Sequence, residues 1–110
     1  MVDKEILKMV EKFAEGCKYI EGKWDKSTDS CKKDNTIIRI SKGVDGADVE
    51  IRSDRATIFI QGLKTSDVIS KENKGGVKSL KLTFLGEDFD NIIRITDYGS
   101  VDIDIGKELE

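Results

Sequence analysis

Apolar residues in the first twenty positions recur at the spacing of an α-helix. They fall three or four residues apart, at Ile6, Met9, Val10, Phe13, Cys17 and Ile20. Lysine and glutamate fill the positions between them, and Asp3 can cap the first turn. This pattern predicts an amphipathic helix over about residues 3–20. Gly16 leaves its end open, because glycine either terminates a helix or is tolerated inside it at a cost of about 1 kcal/mol.

Residues 22–35 (GKWDKSTDSCKKDN) show no hydrophobic period. Gly, Ser, Thr, Asp and Asn crowd together there, which is typical of a loop. A loop of this length is long for a compact domain and is usually functional or mobile. A short helical turn is also predicted near residues 65–73 (TSDVISKEN).

Beyond residue 35 the period changes to two, as in half-buried β-strands. Strands are predicted at residues 36–41, 48–53, 56–61, 78–85, 91–96 and 101–105. The segment ATIFI at residues 56–60 is apolar on both faces, which favours a central position in the sheet. Together these elements predict one domain over residues 1–110, of the α+β class. In it, one N-terminal helix packs on an antiparallel sheet of five or six strands.

Two parts of the chain resemble each other. DNTIIRIS and DNIIRIT each lead through a polar turn to a valine–acid–isoleucine strand, and the two copies lie about 55 residues apart. A duplicated hairpin explains this echo. Convergence of isoleucine-rich amphipathic hairpins is the favoured explanation, since the two turns differ in length.

Composition and charge exclude several classes of protein. The net charge is −3, with both signs interspersed, which argues against non-specific nucleic-acid binding. No apolar stretch is long enough for a membrane span and no targeting segment is visible, so we expect a cytosolic protein. Charged residues make up 37% of the chain and histidine is absent, which fits either a thermophile or an AT-rich genome.

The two cysteines, Cys17 and Cys31, enclose the only tryptophan, Trp24. A disulfide here would close a fifteen-residue loop and tie it down, although disulfides are rare in the cytosol. Two unpaired thiols remain the close alternative, because Cys17 continues the apolar stripe of the helix. A metal site or a redox pair is less favoured, since histidine and a C-x-x-C motif are both absent. We expect Tyr19 and Trp24 to anchor the loop on the core.

Acidic residues in the same segment suggest a weak cation site. Asp25, Ser27 and Asp29 match the first ligand positions of an EF-hand, but Ser30 and Thr36 occupy positions that need glycine and glutamate. The motif therefore fails as an EF-hand. Asp25, Asp29 and Asp34 remain a candidate cation-binding set.

Paired carboxylates also occur on the predicted strands, at Asp48 with Glu50 and at Asp102 with Asp104. Because they alternate with aliphatic residues, they are typical of solvent-facing strand surfaces rather than of acid–base catalysis. These four residues are the candidate partner surface, which Arg39 and Arg94 would dilute if they share those faces.

No catalytic constellation is present. Without histidine there is no Ser–His or Cys–His dyad, and no glycine-rich phosphate loop occurs. We therefore expect a small non-catalytic domain, without a cofactor, that binds another protein and neither nucleic acid nor membrane. The alternative is a cation- or metal-binding protein that uses the region from Cys17 to Asp34.

Overall fold

The structure, a computed structural model, describes residues 4–44, 46–63, 68–85 and 89–108. Within these ranges the chain forms one helix and nine strands. They are α1 (Lys4–Tyr19), β1 (Lys23–Asp25), β2 (Ser30–Lys33), β3 (Thr36–Gly43), β4 (Gly46–Arg52), β5 (Thr57–Leu63), β6 (Val68–Lys74), β7 (Val77–Leu85), β8 (Phe89–Thr96) and β9 (Val101–Glu108).

The strands form two antiparallel sheets. The five-stranded sheet has the order β1-β2-β3-β4-β5, and the four-stranded sheet has the order β6-β7-β8-β9. The predicted α+β class is confirmed, and each of the six predicted strands occurs with ends shifted by a few residues. The prediction of a single sheet of five or six strands is wrong, because β5 and β6 are the edges of separate sheets.

Helix α1 buries the predicted stripe of Ile6, Met9, Phe13 and Cys17. It runs through Gly16, where the backbone packs so closely on β7 that an added Cβ would overlap the side chain of Leu80. The helix ends after Tyr19, where Glu21 adopts a left-handed backbone (φ 62°). Gly16 is therefore a packing residue rather than the helix terminator. The suggested cap, Asp3, lies outside the described residues.

One hydrophobic core joins the helix and both sheets. Its largest fully buried side chains come from α1, the segment after it and the inner faces of β3, β4, β7 and β8: Met9, Phe13, Cys17, Ile20, Ile38, Ile40, Val49, Leu80, Leu82, Ile93 and Ile95. The helix contacts β1, β2, β3, β6 and β7. It therefore packs against the β1 and β6 sides of the two sheets, while β5 and β9 form the opposite edges.

The segment predicted as a loop, residues 22–35, contains the short strands β1 and β2. Residues 26–29 join them, and Asp34 with Asn35 connects β2 to β3. The loop prediction is wrong because β1 pairs with β2 and β2 pairs with β3, which satisfies backbone groups of these polar strands. Ser30 and Cys31 are also buried, at 7% and 0% exposure. Tertiary contacts thus supply what local propensity lacks.

Two further predictions about strands are corrected. The segment ATIFI lies in β5 except for Ala56, and β5 is an edge strand, not a central one. Its Ile58 and Phe59 are 40% and 52% exposed. The helical turn predicted near residues 65–73 is wrong for residues 68–73, which belong to β6; residues 65–67 lie outside the described residues.

The two similar sequences form hairpins with the same register. In the β3–β4 hairpin, Ile38 pairs with Ile51, Arg39 with Glu50 and Ile40 with Val49. In the β8–β9 hairpin, the corresponding pairs are Ile93 with Ile103, Arg94 with Asp102 and Ile95 with Val101. The two hairpins lie in different sheets. Each sheet therefore has an arginine–acid pair at the equivalent outward-facing position.

Candidate functional site

A cleft of about 490 Å³ lies between the two sheets, beside the edge strands β5 and β9. The β4–β5 connection and the start of β5 form one wall, and the start of β9 forms the other. The lining residues come from these two walls and from the start of β3: Thr36, Ile51, Ser53, Arg55, Ala56, Ile58, Gly99, Val101 and Ile103. The cleft is therefore flanked by two strands that are both sheet edges.

Aliphatic side chains dominate the interior of the cleft. Ile51 and Ile58 are cross-strand partners in β4 and β5, so their side chains lie on the same inner face. Val101 and Ile103 project from β9 and pack against the core, and both are partly buried. Ile58 is 40% exposed, because no helix or further strand of the described chain covers this end of the core. The cleft is thus an open continuation of the hydrophobic core.

The rim of the cleft is polar and locally fixed. The Thr36 hydroxyl donates a hydrogen bond of 3.2 Å to the Gly99 carbonyl, which joins the start of β3 to the β8–β9 turn. In the β4–β5 turn, the Ser53 hydroxyl accepts hydrogen bonds from the backbone N–H groups of Arg55 and Ala56, each at 3.3 Å. These contacts hold the backbone on both sides of the opening.

Strand β5 differs in charge from the other sheet edges. Its sequence, TIFIQGL, contains no charged residue. The edge strands β1 (KWD), β6 (VISKENK) and β9 (VDIDIGKE) all carry charges of both signs. Charged side chains on an edge strand hinder pairing with other chains, so β5 is the edge without this protection.

Sequence reasoning missed this site because it placed ATIFI at the centre of a sheet. The signal itself was present, since an edge strand that is apolar on both faces is unusual. Hydrophobicity alone does not distinguish an exposed apolar edge strand from a buried central strand. Arg55, Ser53 and Thr36 gave no signal, because their convergence depends on the packing of the two sheets.

The structure places Cys17 and Cys31 at disulfide distance, with their Cα atoms 5.8 Å apart. Both residues are fully buried between α1 and β2. Trp24, opposite Cys31 in the β1–β2 pair, packs edge-to-face on Phe13 with ring centroids 5.5 Å apart. The prediction that Trp24 anchors this segment on the core is confirmed. The Tyr19 hydroxyl donates to the Glu72 carbonyl at 3.0 Å and so ties the end of α1 to β6.

The candidate cation ligands do not come together. Asp25 accepts hydrogen bonds from the Ser27 hydroxyl (2.6 Å) and from the Ser27 backbone N–H (2.9 Å), and these lower the pKa of Asp25. Asp29 lies in the same turn with a left-handed backbone, whereas Asp34 lies at the other end of β2. Asp34 packs near Gly99 instead. Within residues 4–44 and the other described ranges, no three potential ligands cluster around a metal position.

The four acidic residues of the predicted partner surface divide between the two sheets. The Asp48 carboxylate already has a partner in its own sheet, because it accepts a hydrogen bond from the Gly62 N–H at 3.2 Å. Glu50 forms an ion pair of 3.0 Å with Arg52. Asp102 and Asp104 are exposed on β9, with Arg94 paired opposite Asp102. The four residues therefore do not form one acidic patch.

Arg94 also fixes a carboxylate on β6. Its Nε donates a hydrogen bond of 2.8 Å to Oε1 of Glu72. This hydrogen bond lowers the pKa of Glu72 below its usual value, and the guanidinium charge acts in the same direction. Arg94 is thus a structural residue that joins β6 to β8.

Comparison with protein-family models, with curated proteins and with solved structures finds no match to this chain. The only helix in the described ranges, α1, is too short and too polar to cross a membrane.

Proposed function

We propose that this chain is a non-catalytic binding domain that recognises another protein by adding one of its extended segments to β5. In this mode, backbone hydrogen bonds to a sheet edge provide affinity, and alternate side chains of the segment enter pockets beside the edge. The observation that carries the proposal is the uncharged, apolar edge of β5 next to the open cleft.

The exposed groups of β5 match both requirements of strand addition. In the described part of the chain, no strand pairs with the far edge of β5, which leaves backbone donors and acceptors available. Ile58 faces the cleft, while Phe59 lies on the outer face of the sheet and is 52% exposed. A bound segment would cover both side chains, and removing this apolar surface from water favours binding.

The same proposal includes a cytosolic location, no cofactor, and neither nucleic acid nor membrane as a partner. The mixed charges of the sheets support the exclusion of nucleic acid, because each outer face carries arginine and acidic residues together and so forms no basic stripe. A cation-binding function is not proposed as a second candidate, since no specific geometry favours it.

The proposal is tested with Ile58→Lys. A library of randomised peptides displayed on phage is selected against the wild-type protein and against this variant. We expect the wild type to enrich peptides with alternating apolar residues, and the variant to bind them at least about tenfold more weakly. A bound segment would bury the lysine charge in the cleft, and a charge on the edge strand also opposes pairing.

Asn73→Lys is the matched control, because it adds the same charge to the exposed edge strand β6. It should leave the affinity for the enriched peptides unchanged, and thermal unfolding should show that both variants fold. Equal binding by the wild type and Ile58→Lys would refute a site at β5. Sedimentation that shows a concentration-dependent dimer, lost in Ile58→Lys, would identify a second copy of this chain as the occupant instead.

A further inference from the structure

Arg55 places a positive charge at the cleft, and this charge favours an occupant with a negative group. Among the described residues that line the cleft, Arg55 is the only charged one. The hydrogen bond from its backbone N–H to Ser53 fixes its position in the β4–β5 turn. Within the described ranges its guanidinium forms no ion pair, whereas the neighbouring Arg52 is paired with Glu50. Arg55 therefore offers an unused set of donors to whatever occupies the cleft.

The direction of β5 determines which end of a bound segment reaches Arg55. Strand β5 begins just after the β4–β5 turn and runs away from it, from Thr57 to Leu63. A segment that pairs antiparallel with β5, as the described strands pair with one another, would run toward the turn. Its C-terminal part would then lie beside Ala56 and Arg55.

The register of β4 and β5 determines which side chains of the segment face the cleft. Ile51 and Ile58 form one inward-facing pair, and Arg52 and Thr57 form the next outward-facing pair. A residue opposite Ile58 therefore points into the cleft toward the aliphatic residues of β9. The next inward position is two residues further on, opposite Ala56, on the side that Arg55 lines.

We infer that the preferred partner segment is an antiparallel strand with apolar residues at alternate positions and an aspartate or glutamate two positions after the last of them. This inference rests on the proposed function and adds the chemistry of the ligand. The carboxylate would accept charge-assisted hydrogen bonds from Arg55, and the apolar side chains would fill the cleft.

The test uses synthetic peptides with blocked ends, so that no terminal charge contributes. The first alternates threonine and isoleucine and ends Ile-Thr-Asp-Thr; the second replaces the aspartate by asparagine. The third has the first sequence in reverse order, which places the aspartate at the wrong end. Affinities are measured by calorimetry for the wild type and for Arg55→Gln.

We expect the aspartate peptide to bind the wild type about three- to tenfold more tightly than the asparagine peptide. The reversed peptide should lose this advantage. In Arg55→Gln the two forward peptides should bind equally, because the carboxylate has lost its partner. This combination would support the inference.

Equal affinities of the aspartate and asparagine peptides for the wild type would overturn the carboxylate preference and leave strand addition intact. An aspartate preference that persists in Arg55→Gln would overturn the role of Arg55. If none of the peptides binds and the phage selection also fails, the proposed function itself is wrong, and the inference is wrong with it.

Discussion

Cys17 and Cys31 link the helix to the smallest hairpin of the fold. They are fully buried and fourteen positions apart in the chain. Gly22 lies directly on this pair, because a Cβ there would come within 2.9 Å of both sulfur atoms. The packing at these three residues therefore accommodates two adjacent sulfur atoms and leaves no room for a side chain at position 22.

A Cys17→Ala/Cys31→Ala variant should be less stable than the oxidised protein by about 3 kcal/mol, because the loop closed by the bridge no longer restricts the unfolded chain. Urea unfolding, followed by the fluorescence of Trp24, measures this difference. Reductant should destabilise the wild type but not the variant. Complete alkylation of both cysteines in protein that is purified without reductant and then denatured would contradict the bridge.

The Glu72–Arg94 pair makes a pH-dependent contribution to stability. Because folding lowers the pKa of Glu72, the contribution is present above the unfolded pKa and is lost as the pH falls through the lower folded value. At pH 7, Glu72→Gln should cost about 0.2–1 kcal/mol, as expected for a partly exposed pair. The difference from wild type should shrink as the pH falls below the ordinary glutamate pKa of about 4.3, and it should disappear only below the lower folded pKa. A difference that stays constant down to pH 3, measured by urea unfolding, would contradict this assignment.

At the scale of elements, the alternation of polar and apolar residues predicted most strands but not their partners. The helix and the strand from Leu80 to Phe84 show clear periods, and both occur. Strands β1 and β2 were missed because they are short and polar, and they depend on pairing with each other and, for β2, with β3. The edge position of β5 was missed because the hydrophobic period of one segment does not show which other segments pair with it.

The candidate site is less predictable than the fold for the same reason. Asp25, Asp29 and Asp34 are close in sequence but lie at two ends of β2, whereas Ile58 and Ile103 are distant in sequence and share a cleft. Proximity along the chain therefore suggested a site that does not assemble. The one useful signal was the apolar character of ATIFI on both faces.

For the whole molecule, the Thr36–Gly99 hydrogen bond is a direct link between the two sheets. Thr36 is buried, at 7% exposure. Thr36→Val removes the donor and leaves the Gly99 carbonyl without it, which should cost about 1–2 kcal/mol. Amide exchange at the start of β9 should also become faster, because this contact holds the wall of the cleft. Thr57→Val, at an exposed threonine, is the control and should change neither. Unchanged exchange in Thr36→Val would show that other contacts hold β9.

The order of the strands has a consequence for how the protein reaches its structure. Every pairing within the two sheets joins strands that are adjacent in the chain, as in two consecutive meanders. Hairpins of this kind close only short loops, which costs little conformational entropy. Each sheet can therefore form by adding one strand at a time. The contacts between the sheets are the ones that span long stretches of sequence. Association of two largely formed meanders around the helix is therefore the step that we expect to limit the folding rate.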